Sequence, residues 1–178
     1  MNFWADVVES CPGDQVALVE LRADGSRREW TFAEVVDRSA ALSSELAARG
    51  VGRGDVVLTM IGSRPEWVLA MLGCFRVGAV ALACSEQLRP HDLEHRVLVA
   101  APKLVLYDER NEGVVLAATA GLDVELWSLC GHNSTTSGWG ASLAVPAAAD
   151  LAPLDPCLIT FTSGTTGEAK GVLHGQRY

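Results

Sequence analysis

An open, doubly wound α/β architecture is the fold this sequence predicts: a mainly parallel sheet flanked by helices, with a small N-terminal hairpin. Two observations predict the sheet. After residue 31, short apolar runs alternate with stretches of helical period. Those runs are apolar throughout, as strands covered on both faces are. A third observation predicts the hairpin: Ala23-Asp24-Gly25-Ser26, a turn signal, separates residues 16–21 (VALVEL) from a return strand over residues 28–30.

Taken in order, residues 2–10 read as a short helix. Thr31 and Glu34 make a T-x-x-E capping box, in which each side chain satisfies an orphaned backbone N–H of the first turn. Phe32, Val35, Val36, Leu42 and Leu46 then recur at helical spacing, and Gly50 supplies a stop. Residues 56–61 (VVLTMI) form a strand. Pro65 suits a first helical turn, where its missing N–H costs nothing, and Gly78 ends that helix. Trp67, Val68, Met71, Leu72 and Phe75 leave the helix little polar surface, so it is expected to be mostly buried. Strand 79–83, a helix from Pro90 to about residue 100, strand 103–107, helix 112–120 and strand 124–129 complete the alternation. Residues 131–156, rich in Gly, Ser, Thr, Ala and Pro, are expected to be a surface loop. A last apolar strand covers residues 157–161 (CLITF).

Composition narrows the function. The chain has 178 residues, 49% apolar and 20% charged, which suits one packed domain and argues against disorder. Lys and Arg number 14 against 22 Asp and Glu, a net charge of −8. No basic footprint for nucleic acid exists, and an anionic membrane surface repels such a chain. No apolar run reaches the ~18 residues of a membrane span, and the N-terminus lacks a basic segment followed by an apolar one, so a cytoplasmic protein is expected. Five cysteines (Cys11, Cys74, Cys84, Cys130 and Cys157) without a CxxC pair predict reduced thiols rather than a zinc ribbon or disulfide framework.

The chemistry concentrates after the last strand, in Thr162-Ser163-Gly164-Thr165-Thr166-Gly167-Glu168-Ala169-Lys170-Gly171. An anionic polyphosphate needs these residue types. Glycines let backbone N–H groups approach closely and turn inward. The four hydroxyls of Thr162, Ser163, Thr165 and Thr166 donate further bonds, and Lys170 adds a point charge. The spacing excludes a Walker A loop, GxxxxGK(S/T), because Gly171 stands where Ser or Thr belongs. The dinucleotide pattern GxGxxG is also missing: Gly50, Gly52 and Gly54 lack the last spacing and precede a strand.

TSGTTGEAKGVLHG resembles the phosphate-binding signature (S/T)SGTTGxPKGV of the adenylate-forming (AMP-binding) superfamily, which includes acyl-CoA synthetases, peptide-synthetase adenylation domains and luciferases. Upstream, RPEWVLAMLGCFRVGAVAL and LRPHDLEHRVLVAAPKLVLYDE are similar to acyl- and aryl-CoA synthetases of the medium-chain and benzoate type. Ala169 stands where the family has proline, which loosens the loop but removes no donor or charge. The resemblance implies the first portion of an N-terminal adenylation domain, with the adenine, ribose and magnesium residues and a mobile C-terminal domain beyond residue 178. It implies ATP, Mg2+ and coenzyme A as cofactors and a small-molecule carboxylate as substrate. Residues 162–170 would hold the ATP phosphates, and His174 would neighbour the acyl site. This chain alone is expected to be inactive. A non-catalytic nucleotide-binding module, or one half of a split enzyme needing a partner chain, is the alternative, and homo-oligomerisation stays open.

Smaller motifs have plainer readings. His91, Glu94 and His95 fit the zinc-protease string HxxEH, but a solvated helix face opposite Leu93 and Val97 explains them better. Asn133-Ser134-Thr135 fits a glycosylation acceptor and is read as loop composition. Cys157 is read as a small buried hydrophobe and not a nucleophile, and the five tryptophans as packing residues.

Overall fold

A computed structural model describes residues 1–129, 144–162 and 169–177. The chain opens with one π-helical turn, Trp4–Val8, where a short helix is expected. Strands β1 (Val16–Leu21) and β2 (Arg27–Thr31) pair antiparallel as the hairpin. Helix α1 (Phe32–Ala48) starts at the capping box: Thr31 Oγ1 accepts from Glu34 N, and Thr31 N donates to Glu34 Oε2 at 2.9 Å. The alternation follows as β3 (Val56–Met60), α2 (Pro65–Val77), β4 (Val80–Ala83), α3 (Pro90–Ala100), β5 (Leu104–Asp108), a 3-10 turn at Glu109–Asn111, α4 (Glu112–Ala118) and β6 (Glu125–Leu129). Pro65 and Pro90 both sit in the first helical turn. Gly78 ends α2 at φ +76°, where a side chain is strained. Ala101 ends α3 in the same left-handed region, φ 44°, without a glycine to mark it.

Strands β7 (Pro156–Thr162) and β8 (Lys170–Gly175) complete a six-stranded sheet of order β6-β5-β3-β4-β7-β8. All its pairs are parallel except β7 with β8. The step from β3 to β4 runs one way along the sheet and the steps from β4 to β5 and β6 run the other way. Right-handed crossovers therefore put α2 on one face and α3 and α4 on the opposite face. Burial agrees. Val57 and Ile61 pack with α1, α2, Trp4 and Trp30, whereas Leu58 and Met60 pack with Leu93 and Val97 of α3 and Val115 of α4. Every strand from β3 to β7 points its carboxyl end at one edge of the sheet.

The stretch 131–156 is not uniformly on the surface. Leu151 is buried, and the segment before it is bound to the end of α2. Arg76 Nη2 donates to Pro146 O at 2.6 Å while its guanidinium stacks 4.1 Å from the Trp4 ring. Buried Asn2 donates through Nδ2 to Phe75 O at 2.9 Å and Ala149 O at 3.0 Å, and the Met1 ammonium donates to Leu151 O. Asn133-Ser134-Thr135 and Cys130 lie outside the described residues. Among the described residues no helix is long and apolar enough to cross a membrane.

Candidate functional site

The site grows out of the paired ends of β7 and β8. Thr162 closes β7, Lys170 opens β8, and the two are register partners. The glycine- and threonine-rich stretch therefore leaves and rejoins the sheet at one point, on the carboxyl edge of the parallel strands, where open α/β sheets bind their ligands. Both residues are exposed. Ser163, Gly164, Thr165, Thr166, Gly167 and Glu168 lie outside the described residues. Ala169 does not: its carbonyl accepts a hydrogen bond of 3.0 Å from His95 Nε2 in α3. Phe161, one residue before Thr162, meets the His95 ring edge-on at 6.3 Å between centroids and lies 5.0 Å below the Arg96 guanidinium.

The two faces of this hairpin differ. Phe161 and Gly171 are opposite one another, and a Cβ on Gly171 would sit 3.4 Å from Phe161 Cζ. On the other face Thr160 Oγ1 and His174 Nε2 are 2.8 Å apart, so His174 is held against β7, partly buried. Cys157 contacts the Gly175 carbonyl at 3.2 Å, and partial burial pushes its thiol up. A raised thiol is a poor nucleophile at neutral pH, consistent with its reading as a packing residue.

The residues of the zinc string have different partners. His91 is 92% exposed and only 3.9 Å from Glu94, while the Nε2 of His95 is committed to Ala169. Among the described residues no three His, Cys, Asp or Glu side chains gather as a metal site.

A second polar cluster occupies the same carboxyl edge and was not anticipated from the sequence. Arg110 reaches Glu86 through Nε at 2.7 Å and Nη2 at 2.9 Å, and Asn111 Nδ2 donates to Glu86 at 2.8 Å and to Met60 O at 2.9 Å. Buried Asp108, the last residue of β5, accepts from Arg64 and lies 3.6 Å from Arg110. The network ties the loops after β3, β4 and β5 together beside the topological switch point. The available signal was positional: Arg64, Glu86 and Asp108 are charged residues at or just past strand ends.

The sequence model for the AMP-binding enzyme family matches residues 4–178. The chain belongs to that family. An uncharacterized acyl-CoA ligase, YtcI, of Bacillus subtilis is 30% identical over 172 residues, covering 93% of this AMP-binding chain and 32% of that protein. The crystal structure of an acyl-CoA synthetase from Brucella canis superposes with a TM-score of 0.81 at 25% identity, over 95% of this chain and 32% of the other. ATP-bound MatB from Rhodopseudomonas palustris gives 0.80 at 26% identity, over 98% and 35%. The AMP-binding chain thus spans about a third of the length of the curated relatives it matches.

Proposed function

We propose that this chain is the first portion of the N-terminal adenylation domain of an ATP-dependent acyl- or aryl-CoA ligase. In the intact enzyme a carboxylate oxygen attacks the α-phosphorus of ATP, and pyrophosphate leaves. The thiol of coenzyme A then attacks the acyl carbon of the mixed anhydride, and AMP leaves with the bonding electron pair. The observation that supports this reading is the register pairing of Thr162 with Lys170, which brings these two residues of the TSGTTGEAKG stretch together at the carboxyl edge of the sheet.

The role of the stretch follows from its chemistry. Thr162, Ser163, Thr165 and Thr166 supply hydroxyl donors, Gly164 and Gly167 expose backbone N–H groups, and Glu168 and Ala169 complete the span to Lys170. Together they grip the β- and γ-phosphates and stabilise the charge that grows on departing pyrophosphate, an effect of positioning and electrostatics. His174, held by Thr160, borders the acyl side of the site. Magnesium enters with the nucleotide as its MgATP complex. Alone, the chain lacks catalytic activity.

Replacing Lys170 with alanine in the intact enzyme tests the reading. A lost charge-assisted bond to phosphate lowers carboxylate-dependent pyrophosphate exchange by about 10- to 150-fold. Unchanged exchange refutes the assignment.

A further inference from the structure

We propose that His95 is a positioning residue for the phosphate loop, acting through the backbone of Ala169. The inference rests on the reading of residues 162–170 as that loop. A carbonyl oxygen only accepts, so the 3.0 Å contact requires the proton on Nε2 of His95. The bond fixes the peptide immediately before Lys170, the charged member of the loop. The same imidazole packs edge-on against Phe161, the residue just before Thr162. Arg96, next in α3, places its guanidinium 5.0 Å from the centroid of the same Phe161 ring. One turn of α3 therefore touches the chain on both sides of the loop.

The physical need is clear. Residues 162–170 include two glycines and no proline, and Ala169 supplies neither a fixed φ nor a ring. Glycine and alanine leave a chain more conformational entropy to lose than proline does, and such a loss opposes binding. The hydrogen bond to Ala169 O restrains the peptide that leads into Lys170 before any ligand arrives. Restraint from outside the loop replaces the stiffness that a proline would give from within. Neither His95 nor Phe161 belongs to the phosphate-binding string itself.

Three variants of the intact enzyme separate this role from packing. His95→Gln keeps an N–H donor at the position of Nε2 but has no ring. His95→Phe keeps a ring against Phe161 but has no donor. Lys170→Ala reports on the loop reading. The readout is the dissociation constant for MgATP by calorimetry, with a thermal melt of each variant alongside. His95→Phe raises the constant about two- to tenfold, the worth of one net hydrogen bond. His95→Gln stays within about twofold of the parent, and Lys170→Ala weakens binding more than either. If His95→Phe binds as the parent does while Lys170→Ala is impaired, the positioning role is wrong and the loop reading survives. If glutamine and phenylalanine impair binding equally, the imidazole acts through shape and the hydrogen-bond argument fails. If Lys170→Ala binds normally, the loop reading falls and this inference falls with it.

Discussion

Gly62, between β3 and α2, is where a single methyl group is expected to do most harm beside the site. Its φ is +82°, in the left-handed region, and a Cβ there would stand 2.6 Å from Glu86 Cδ and 2.9 Å from Arg110 Nη2. Two costs follow for Gly62→Ala. Holding alanine in that region costs about 1–2 kcal/mol. Moving Glu86 aside breaks its bonds to Arg110 and Asn111. Because the Glu86 and Arg110 side chains are 26% and 45% exposed, solvent screening holds that second cost to about 1–2 kcal/mol. The total is about 2–4 kcal/mol, read as a lower urea midpoint at unchanged m-value. The control is the same substitution in a Glu86→Ala background, where the methyl no longer meets a carboxylate and the flexible Arg110 side chain, freed from Glu86, swings aside, so that the backbone cost of about 1–2 kcal/mol remains. Equal losses in both backgrounds, or a loss under about 0.5 kcal/mol in the parent, refute the reasoning.

Two further outcomes are expected. Among the described residues the hydroxyl of Thr59, buried in β3, has no hydrogen-bond partner, so the near-isosteric Thr59→Val raises stability by about 1 kcal/mol in urea unfolding; a loss of similar size would show that the hydroxyl is satisfied. Burial pushes the thiols of Cys74 and Cys84 up to about 12, from about 9 in the unfolded chain. The unfolded state then binds fewer protons between these values. Each thiol's contribution is complete below pH 9 and falls as pH rises, by about 1.4 kcal/mol per unit. Urea midpoints at pH 8 and pH 10.5 should therefore converge in a Cys74→Ala, Cys84→Ala variant relative to the parent, and parallel declines would exclude the thiols as the cause.

Much of the fold was legible because local and tertiary signals agree. The Thr31–Glu34 box, Pro65, Gly78 and Pro90 sit at the helix ends that they predict. The apolar runs became central strands because both faces are covered. Strand β8 escaped notice because Val172 and Leu173, on an edge strand, are exposed and carry no buried alternation. The helix over residues 112–120 ends early, at Ala118, and is preceded by a 3-10 turn at Glu109–Asn111 capped by the Asp108 side chain. Of the site, the phosphate string was visible as contiguous residues. The His95–Ala169 bond was not, since its partners are 74 residues apart and a backbone acceptor leaves no trace in side-chain identity. The Arg64–Asp108–Arg110–Glu86 cluster was hidden for a similar reason: three loops contribute to it, and only the sheet order makes them neighbours.

The anchorage of Asn2 has a consequence for how the chain matures. Its side-chain amide reaches Ala149, 147 positions further along. On a ribosome adding about 5–20 residues per second, the first residues wait about 7–30 s for that acceptor to be made. Throughout that interval Trp4 and the end of α2 lack the cover that residues 146–151 provide. Contacts of such long sequence separation form late and slow folding. The later-made stretch thus covers the earlier one, and a nascent polypeptide halted before residue 146 would leave Asn2 and Arg76 without the backbone partners of residues 146–149.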